Sequence, residues 1–228
     1  MSWAVPKLWE SEECWILGGG PSMPRQFGVP EEEIQKVLNG QASPSLYSSY
    51  LEPIHDKNVI GINAAFLIGN WIKVLFFGDK GFFRKNQRAI RKFPNLKITC
   101  SNTNRTFEYQ RAKVKFVSRN KNHDRGITTH PSKVSWNYNS GAASISVAYS
   151  LGAKRIYLLG FDMKPNKDGK THWHSAYKGR INDRVFKRHL LGFPFIAKDA
   201  KKLNIEIINV NPDSAIEDFP KVNLKDIL

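Results

Sequence analysis

Short apolar runs, each closing on a glycine or a polar residue, recur along the chain at intervals that suit strands alternating with helices. Cys14-Trp-Ile-Leu17 stops at Gly18-Gly-Gly-Pro-Ser22, Val59-Ile-Gly-Ile62 at Asn63, and Val74-Leu-Phe-Phe77 at Gly78-Asp79. Arg155-Ile-Tyr-Leu-Leu159 is apolar after its first residue and stops at Gly160-Phe-Asp162. Runs this short and this uniformly apolar read as strands buried on both faces, the pattern of a parallel sheet. Leu96–Cys100 and Ile205–Asn209 read as two more strands, and Val114–Val117 alternates only in part.

Between the strands the spacing turns helical. Pro30-Glu-Glu-Glu33 has the proline and acidic first turn of a helix start. Gly81–Lys92 sets Phe82, Phe83, Ala89, Ile90 and then Phe93 at helical intervals with basic residues between. Ser140–Leu151 is a helix of small residues, slim enough to lie close on a sheet, with Gly152 as its expected C-cap. A last helical stretch, Asp183–Leu203, is expected to break at Gly192 and Pro194. Residues 118–139 have little periodicity and read as a long basic loop, ordered or mobile. The fold class that follows is α/β: a doubly wound, mostly parallel, Rossmann-like sheet in a single domain over 1–228.

The totals narrow this further. A chain of 228 residues, 41% apolar and 24% charged, is long enough for one buried core and short for two domains. No apolar run is long enough to span a bilayer, and the N-terminus lacks a signal-peptide pattern. Cys14 and Cys100 read as two buried thiols rather than a disulfide framework. A cytoplasmic protein without a membrane partner is the expectation.

Charge is the composition's most informative feature. The net +15 is unevenly spread: residues 1–60 carry 4 Lys/Arg against 8 Asp/Glu, residues 80–133 carry 15 against 2, and residues 154–202 carry 13 against 4. A merely solvated surface mixes both signs, so two basic blocks point to a polyanionic partner, DNA among the candidates.

Candidate chemistry gathers at the carboxyl ends of the strands, where open parallel sheets bind ligands. The glycine turn at 18–22 lets backbone N–H groups approach a phosphate, although it has the spacing of neither a dinucleotide fingerprint nor a P-loop. Asn137-Tyr-Asn-Ser-Gly141 precedes the slim helix. Asn139 or Ser140 can cap that helix, while the helix start offers free N–H groups and a positive dipole end to an anion. Both readings can hold together. In Thr171-His-Trp-His174, His172 and His174 share one face if the segment is extended. General base, phosphate contact, metal binding with Asp162 or Asp168, and ordinary loop histidines all stay open for them. His189 reads as a surface or packing residue.

The succession Ile16-Leu-Gly-Gly-Gly-Pro-Ser-Met23, Gly61-Ile-Asn63, Asn139-Ser-Gly-Ala142 and Ser150–Asp162 resembles the small single-domain bacterial sialyltransferases. It is also similar to a group of phage and prophage proteins of uncertain function. The resemblance implies a GT-A-like variant of this fold in one nucleotide-binding domain, with Gly18, Gly19, Gly20, Pro21 and Ser22 near the phosphate or ribose of a cytidine nucleotide donor. It implies Asn63 near that donor, with Asp79 at the neighbouring strand end, and Asn139, Ser140 and Gly141 near phosphate or base. Gly160 and Asp162 would line the same pocket. The chain departs from that family in having Gly19 where the family has asparagine, and Phe193 where the family's proposed catalytic histidine falls.

The expectation is thus a nucleotide-sugar-dependent glycosyltransferase-like enzyme, using a CMP- or UDP-linked donor and acting on DNA or another polyanion, as in phage-type DNA modification. His174 or His172 would serve as base, with Asp162 beside them. Tyr177, Lys178 and Arg180, in a lid at about 164–182, would neutralise the leaving phosphate. A Mg²⁺-dependent phosphotransferase or pyrophosphokinase, with Asp79 and Asp162 as the ligands, and a non-catalytic nucleic-acid-binding module are the alternatives. A Mg²⁺ requirement and a homo-oligomer are left open, and the cytoplasm would be that of a bacterial host if the chain is phage-encoded.

Overall fold

The computed structural model describes residues 3–101, 106–176 and 182–228. In chain order the strands are β1 (Glu13–Leu17), β2 (Val59–Ile62), β3 (Val74–Phe77), β4 (Leu96–Thr99), β5 (Val114–Phe116), the two-residue β6 (Ser118–Arg119) and β7 (Lys133–Val134), β8 (Arg155–Leu159) and β9 (Glu206–Asn209). The helices are α1 (Ser22–Gln26), α2 (Glu31–Leu38), α3 (Lys80–Lys92), α4 (Thr106–Arg111), α5 (Ser140–Leu151), α6 (Asp183–Leu190) and α7 (Phe193–Leu203). Pro44–Ile54 winds as 3₁₀ turns.

Seven strands form one sheet in the order β5-β4-β3-β2-β1-β8-β9, and every pairing in it is parallel. The chain adds strands outward from β1 on one side and then returns to the other side at β8. The winding therefore reverses between β1 and β8, the switch point at whose carboxyl edge open parallel sheets bind ligands.

Strand periodicity divides the core between the two faces of the sheet. Ile16, Ile60, Phe76, Ile98 and Leu158 face α5 and α7, where Ala143, Val147 and Ile196 complete the packing. Trp15, Leu17, Leu75, Phe77 and Leu159 face α2, α3 and the Pro44–Ile54 stretch, against Ile34, Phe83 and Tyr47. α5 is buried on almost every side, which only small side chains allow so close to a sheet. Phe193, at the place of the family's histidine, is a fully buried core residue. None of the described helices is long and apolar enough to cross a membrane.

Two regions carry more order than the sequence reading assigned. The helix start at Pro30 opens α2 as expected, and the polar residues around it also hold the end of α1 and the 3₁₀ segment. The 118–139 segment is an ordered loop, pinned by the β6–β7 pair and by Asn137. Asn137 is fully buried; its Oδ1 accepts the Gly126 N–H at 2.7 Å and its Nδ2 donates to Gly126 O at 2.9 Å and Ser135 O at 3.1 Å. A buried amide satisfied this fully locks the loop around it. Periodicity could not report this, because the order comes from side-chain-to-backbone bonds.

Candidate active site

The carboxyl ends of β1 and β8 are joined directly. Gly18 N–H donates to Leu159 O at 2.7 Å and Gly20 N–H to Gly160 O at 2.8 Å. A Cβ on Gly20 would sit 2.6 Å from Gly160 O and overlap the Asp162 carboxylate, so no larger residue fits the turn. Gly160 itself has φ +67°, in the left-handed region. Asp162 braces this junction: its Oδ2 accepts the Ser22 N–H at 3.0 Å and its Oδ1 accepts the Asn211 amide. Burial pushes the Asp162 carboxyl up, while the bonds from Ser22 and Asn211 and the nearby Lys164 act the other way.

Across the crevice stands the start of α5. Asn139 caps it, Oδ1 accepting the Ala142 N–H at 2.8 Å, and its Nδ2 donates to Asn137 O and His189 O, each at 3.3 Å. Ser140 Oγ accepts the Gly78 N–H at 3.2 Å, tying the helix start to the end of β3. Between the two walls lies the buried Phe161 ring, against Gly18 on one side and Gly141 on the other. Among the described residues, nothing accepts from the N–H groups of Gly19, Ser140 and Gly141. Donors left over at a strand end and a helix start are the ordinary means of holding a phosphate.

The histidines arrive on a strap fastened to the glycine turn. Buried Trp173 donates its backbone N–H to Gly19 O at 3.1 Å and its Nε1–H to Gly18 O at 2.9 Å. With Trp173 turned into the core, His172 and His174 both turn to the crevice, ring centroids 5.1 Å apart. Ala176 N–H donates to His174 Nδ1 at 3.2 Å, so a neutral His174 carries its proton on Nε2. His172 Nδ1 lies 3.0 Å from Thr171 Oγ1. Burial pulls His172 down to about 4, with His189 adding to it. Burial, then His172, pull His174 to about 3, against a backbone hydrogen bond that raises it. His189 is also lowered, by burial and then Arg188. All three rings are neutral at pH 7.

These walls enclose a cavity of about 440 Å³, in the range of small-ligand sites. Of the residues expected from sequence, Gly18, Gly19, Gly20, Asn63, Asp79, Asn139, Ser140, Gly141, Gly160, Asp162, His172 and His174 line it. Asn63 adopts φ +50°, and its buried Oδ1 has no partner among the described residues. Asp79 is exposed and caps α3, accepting the Gly81 N–H at 2.6 Å.

Pro21 and Ser22 do not line this cavity; the turn carries them to a second one of about 900 Å³ behind it. Asp168 lies there too, away from the histidines. Tyr177, Lys178 and Arg180 lie outside the described residues. Among the described residues no three His, Cys, Asp or Glu side chains are grouped to hold a metal. Asp79 and Asp162, the pair a Mg²⁺-dependent phosphotransfer would need, are each committed to backbone N–H groups.

The cavity also takes residues to which the sequence reading gave no site role, Trp136, Tyr138, Phe161, Met163, Phe186 and His189, and two from the expected lid, Lys164 and Thr171. Tyr138 belongs to the Asn137–Gly141 cluster and Trp136 adjoins it, which was signal enough. His189 gives no such signal, since its helix reads as exposed and basic.

No protein-family model and no curated protein matches the chain. Among solved structures, the MAf glycosyltransferase from Magnetospirillum magneticum AMB-1 matches all of this chain at TM-score 0.60 and 10% identity. The chain spans 36% of that transferase's length. The sialyltransferase CstII from Campylobacter jejuni, in complex with cytidine-5'-monophosphate, matches 93% of this chain and 85% of its own at TM-score 0.46 and 16% identity. Its complex with CMP-3FNeuAc gives 0.47 and 15%, over 92% and 85%. At these identities a likeness concerns fold, and the MAf match shows an α/β Rossmann-like fold shared with a glycosyltransferase.

Proposed function

We propose that the chain is a nucleotide-sugar-dependent glycosyltransferase whose donor occupies the crevice between β1, β8 and the start of α5. One observation carries this reading: the unclaimed N–H groups of Gly19, Ser140 and Gly141 border a single cavity at the switch point of the sheet. They suit the phosphate of a CMP- or UDP-linked sugar, with the positive end of α5 behind two of them. Asn63 Oδ1, buried and unclaimed, suits a donor N–H or hydroxyl.

The two histidines take different parts. His174, holding its proton on Nε2 beside Gly19, donates to the departing phosphate. His172 can give its Nδ1 proton to Thr171 Oγ1, which leaves Nε2 to accept one. In the transfer, an acceptor hydroxyl loses its proton to His172 Nε2 as its oxygen bonds to the anomeric carbon. The bond from that carbon to the phosphate oxygen breaks, and the nucleotide departs with the electron pair. Burial depresses His172, and the negative charge of a donor phosphate beside it raises it toward about 7, where a base works. The acceptor class we propose is polyanionic, with DNA the leading instance, on the strength of the two basic blocks. Tyr177, Lys178 and Arg180 keep their proposed role at the leaving phosphate.

A thermal-shift panel of CMP, UDP, GDP and ATP, with and without Mg²⁺, tests the donor. The expected result is stabilisation by CMP or UDP without metal, about 2.7 kcal/mol at a hundredfold excess over Kd. A response confined to Mg²⁺–ATP, or none to any nucleotide, would overturn the assignment.

A further inference from the structure

The two basic blocks, far apart in sequence, meet at one aromatic ring on the rim of the cavity. Tyr138, which lines the cavity, carries Arg125 from the 118–139 loop at 5.5 Å from its ring centroid and Arg188 from α6 at 5.4 Å. Arg125 Nε also donates to Tyr138 Oη at 3.0 Å, and its guanidinium lies 4.9 Å from the ring of Phe195, itself 43% exposed. Tyr138 adopts a strained backbone conformation, φ +64°, next to the buried Asn137 at φ +50°. A bulky residue in that region persists only where its surroundings over-determine it.

Neither guanidinium has a carboxylate in ion-pair range among the described residues. The nearby acids are engaged elsewhere. Asp124 Oδ1 accepts the Trp136 N–H at 3.3 Å, and Asp199 Oδ2 accepts the Ile127 N–H at 3.0 Å.

We infer that Arg125, Tyr138, Arg188 and Phe195 form an acceptor subsite for one nucleotide unit of a single-stranded nucleic acid. Two unpaired, planar cations set against two partly exposed rings offer both things such a unit presents, a phosphate and a π-face. An acidic peptide would use the cations and leave the rings idle. Because Tyr138 belongs to both the rim and the cavity, a strand held here lies next to the proposed donor site. The inference rests on the transferase reading only in taking the strand as acceptor.

The test is fluorescence anisotropy with a labelled oligo-dT of about twelve nucleotides, at about 0.1 M salt, on the full chain. R125A/R188A is expected to weaken binding about tenfold or more, and to make the salt dependence shallower by about 1.4 in log–log slope. F195A, which removes a ring and no charge, is expected to weaken it about fivefold. K85A/R88A, on the exposed face of α3, serves as the basic-surface control and is expected to cost under about twofold. The subsite is disproved if R125A/R188A and K85A/R88A weaken binding equally, or if F195A binds as tightly as the parent chain. Displacement of the oligonucleotide by polyglutamate at matched charge would equally overturn it. The thermal shift with CMP and UDP, read on the same variants, keeps donor and acceptor apart, since neither arginine lines the donor cavity.

Discussion

Two cavities share Asp162 and Lys164 and differ in how their polar groups are spent. The second is about twice the volume of the first, yet among the described residues most of its polar groups, the buried Ser22 hydroxyl apart, are engaged with one another. Arg25 holds both carboxylate oxygens of Glu31 at 3.0 and 2.9 Å and donates to Pro21 O at 3.0 Å; Lys164 lies 3.8 Å from Asp213; and Asn166 Oδ1 takes the N–H groups of Asp168 and Lys170. Among the described residues, the smaller cavity leaves three backbone donors and an amide oxygen without partners, and it buries neutral histidines. Unsatisfied polar groups cost stability and persist where something else repays them, so chemistry is better read from vacancy than from size.

The comparison breaks most visibly at the histidines. H172A is expected to lower the transfer rate about 10²- to 10⁴-fold while the CMP or UDP thermal shift survives, as single-turnover assays beside melting curves would show. An equal loss of nucleotide response would make His172 a binding group instead.

Next in size is G20A, whose added methyl has no room between Gly160 O and Asp162. It is expected to cost about 3 kcal/mol in urea unfolding and to abolish the nucleotide response, because the turn separating the cavities must shift.

A pH series sharpens the contrast. His172 and His174 titrate near 4 and 3 when folded, against about 6.5 unfolded. Between those values the unfolded chain binds more protons, so their contribution is whole above about pH 6.5 and is lost as pH falls toward 4 and 3. In chemical denaturation H172A/H174A should flatten that part of the profile; an unchanged slope would mean the rings are solvated. The smallest effect belongs to the second cavity: R25A, breaking its surface pair with Glu31, is expected to change stability by about 1 kcal/mol or less and leave the nucleotide response intact.

Much of this was legible from residues in order. The strands at 14–17, 59–62, 74–77 and 155–159 announced themselves because each is apolar over its length and punctuated at its carboxyl end. The break between α6 and α7 followed from Gly192 and Pro194. The cavity's glycines and asparagines were legible for the same reason, as the punctuation itself. Ser22 was misplaced because a tight turn reverses the chain within two residues, and sequence adjacency then says nothing about which side of a wall a residue faces. His189 and Met163 were invisible as site residues because nothing local marks them.

The sequence alone determined the class of the fold and the edge of the sheet at which ligands gather, since both follow from local alternation and from where the apolar runs stop. It also determined that positive charge comes in two blocks. Only the tertiary structure decided that those blocks meet at Tyr138, that Asp162 braces the turn, and that His172 and His174 turn together to the cavity. Those outcomes draw on contacts between residues far apart in the chain, such as Asn139 with His189 and Ser22 with Asp162. Contacts at that range are set by the packing of the whole sheet, and no local pattern encodes them.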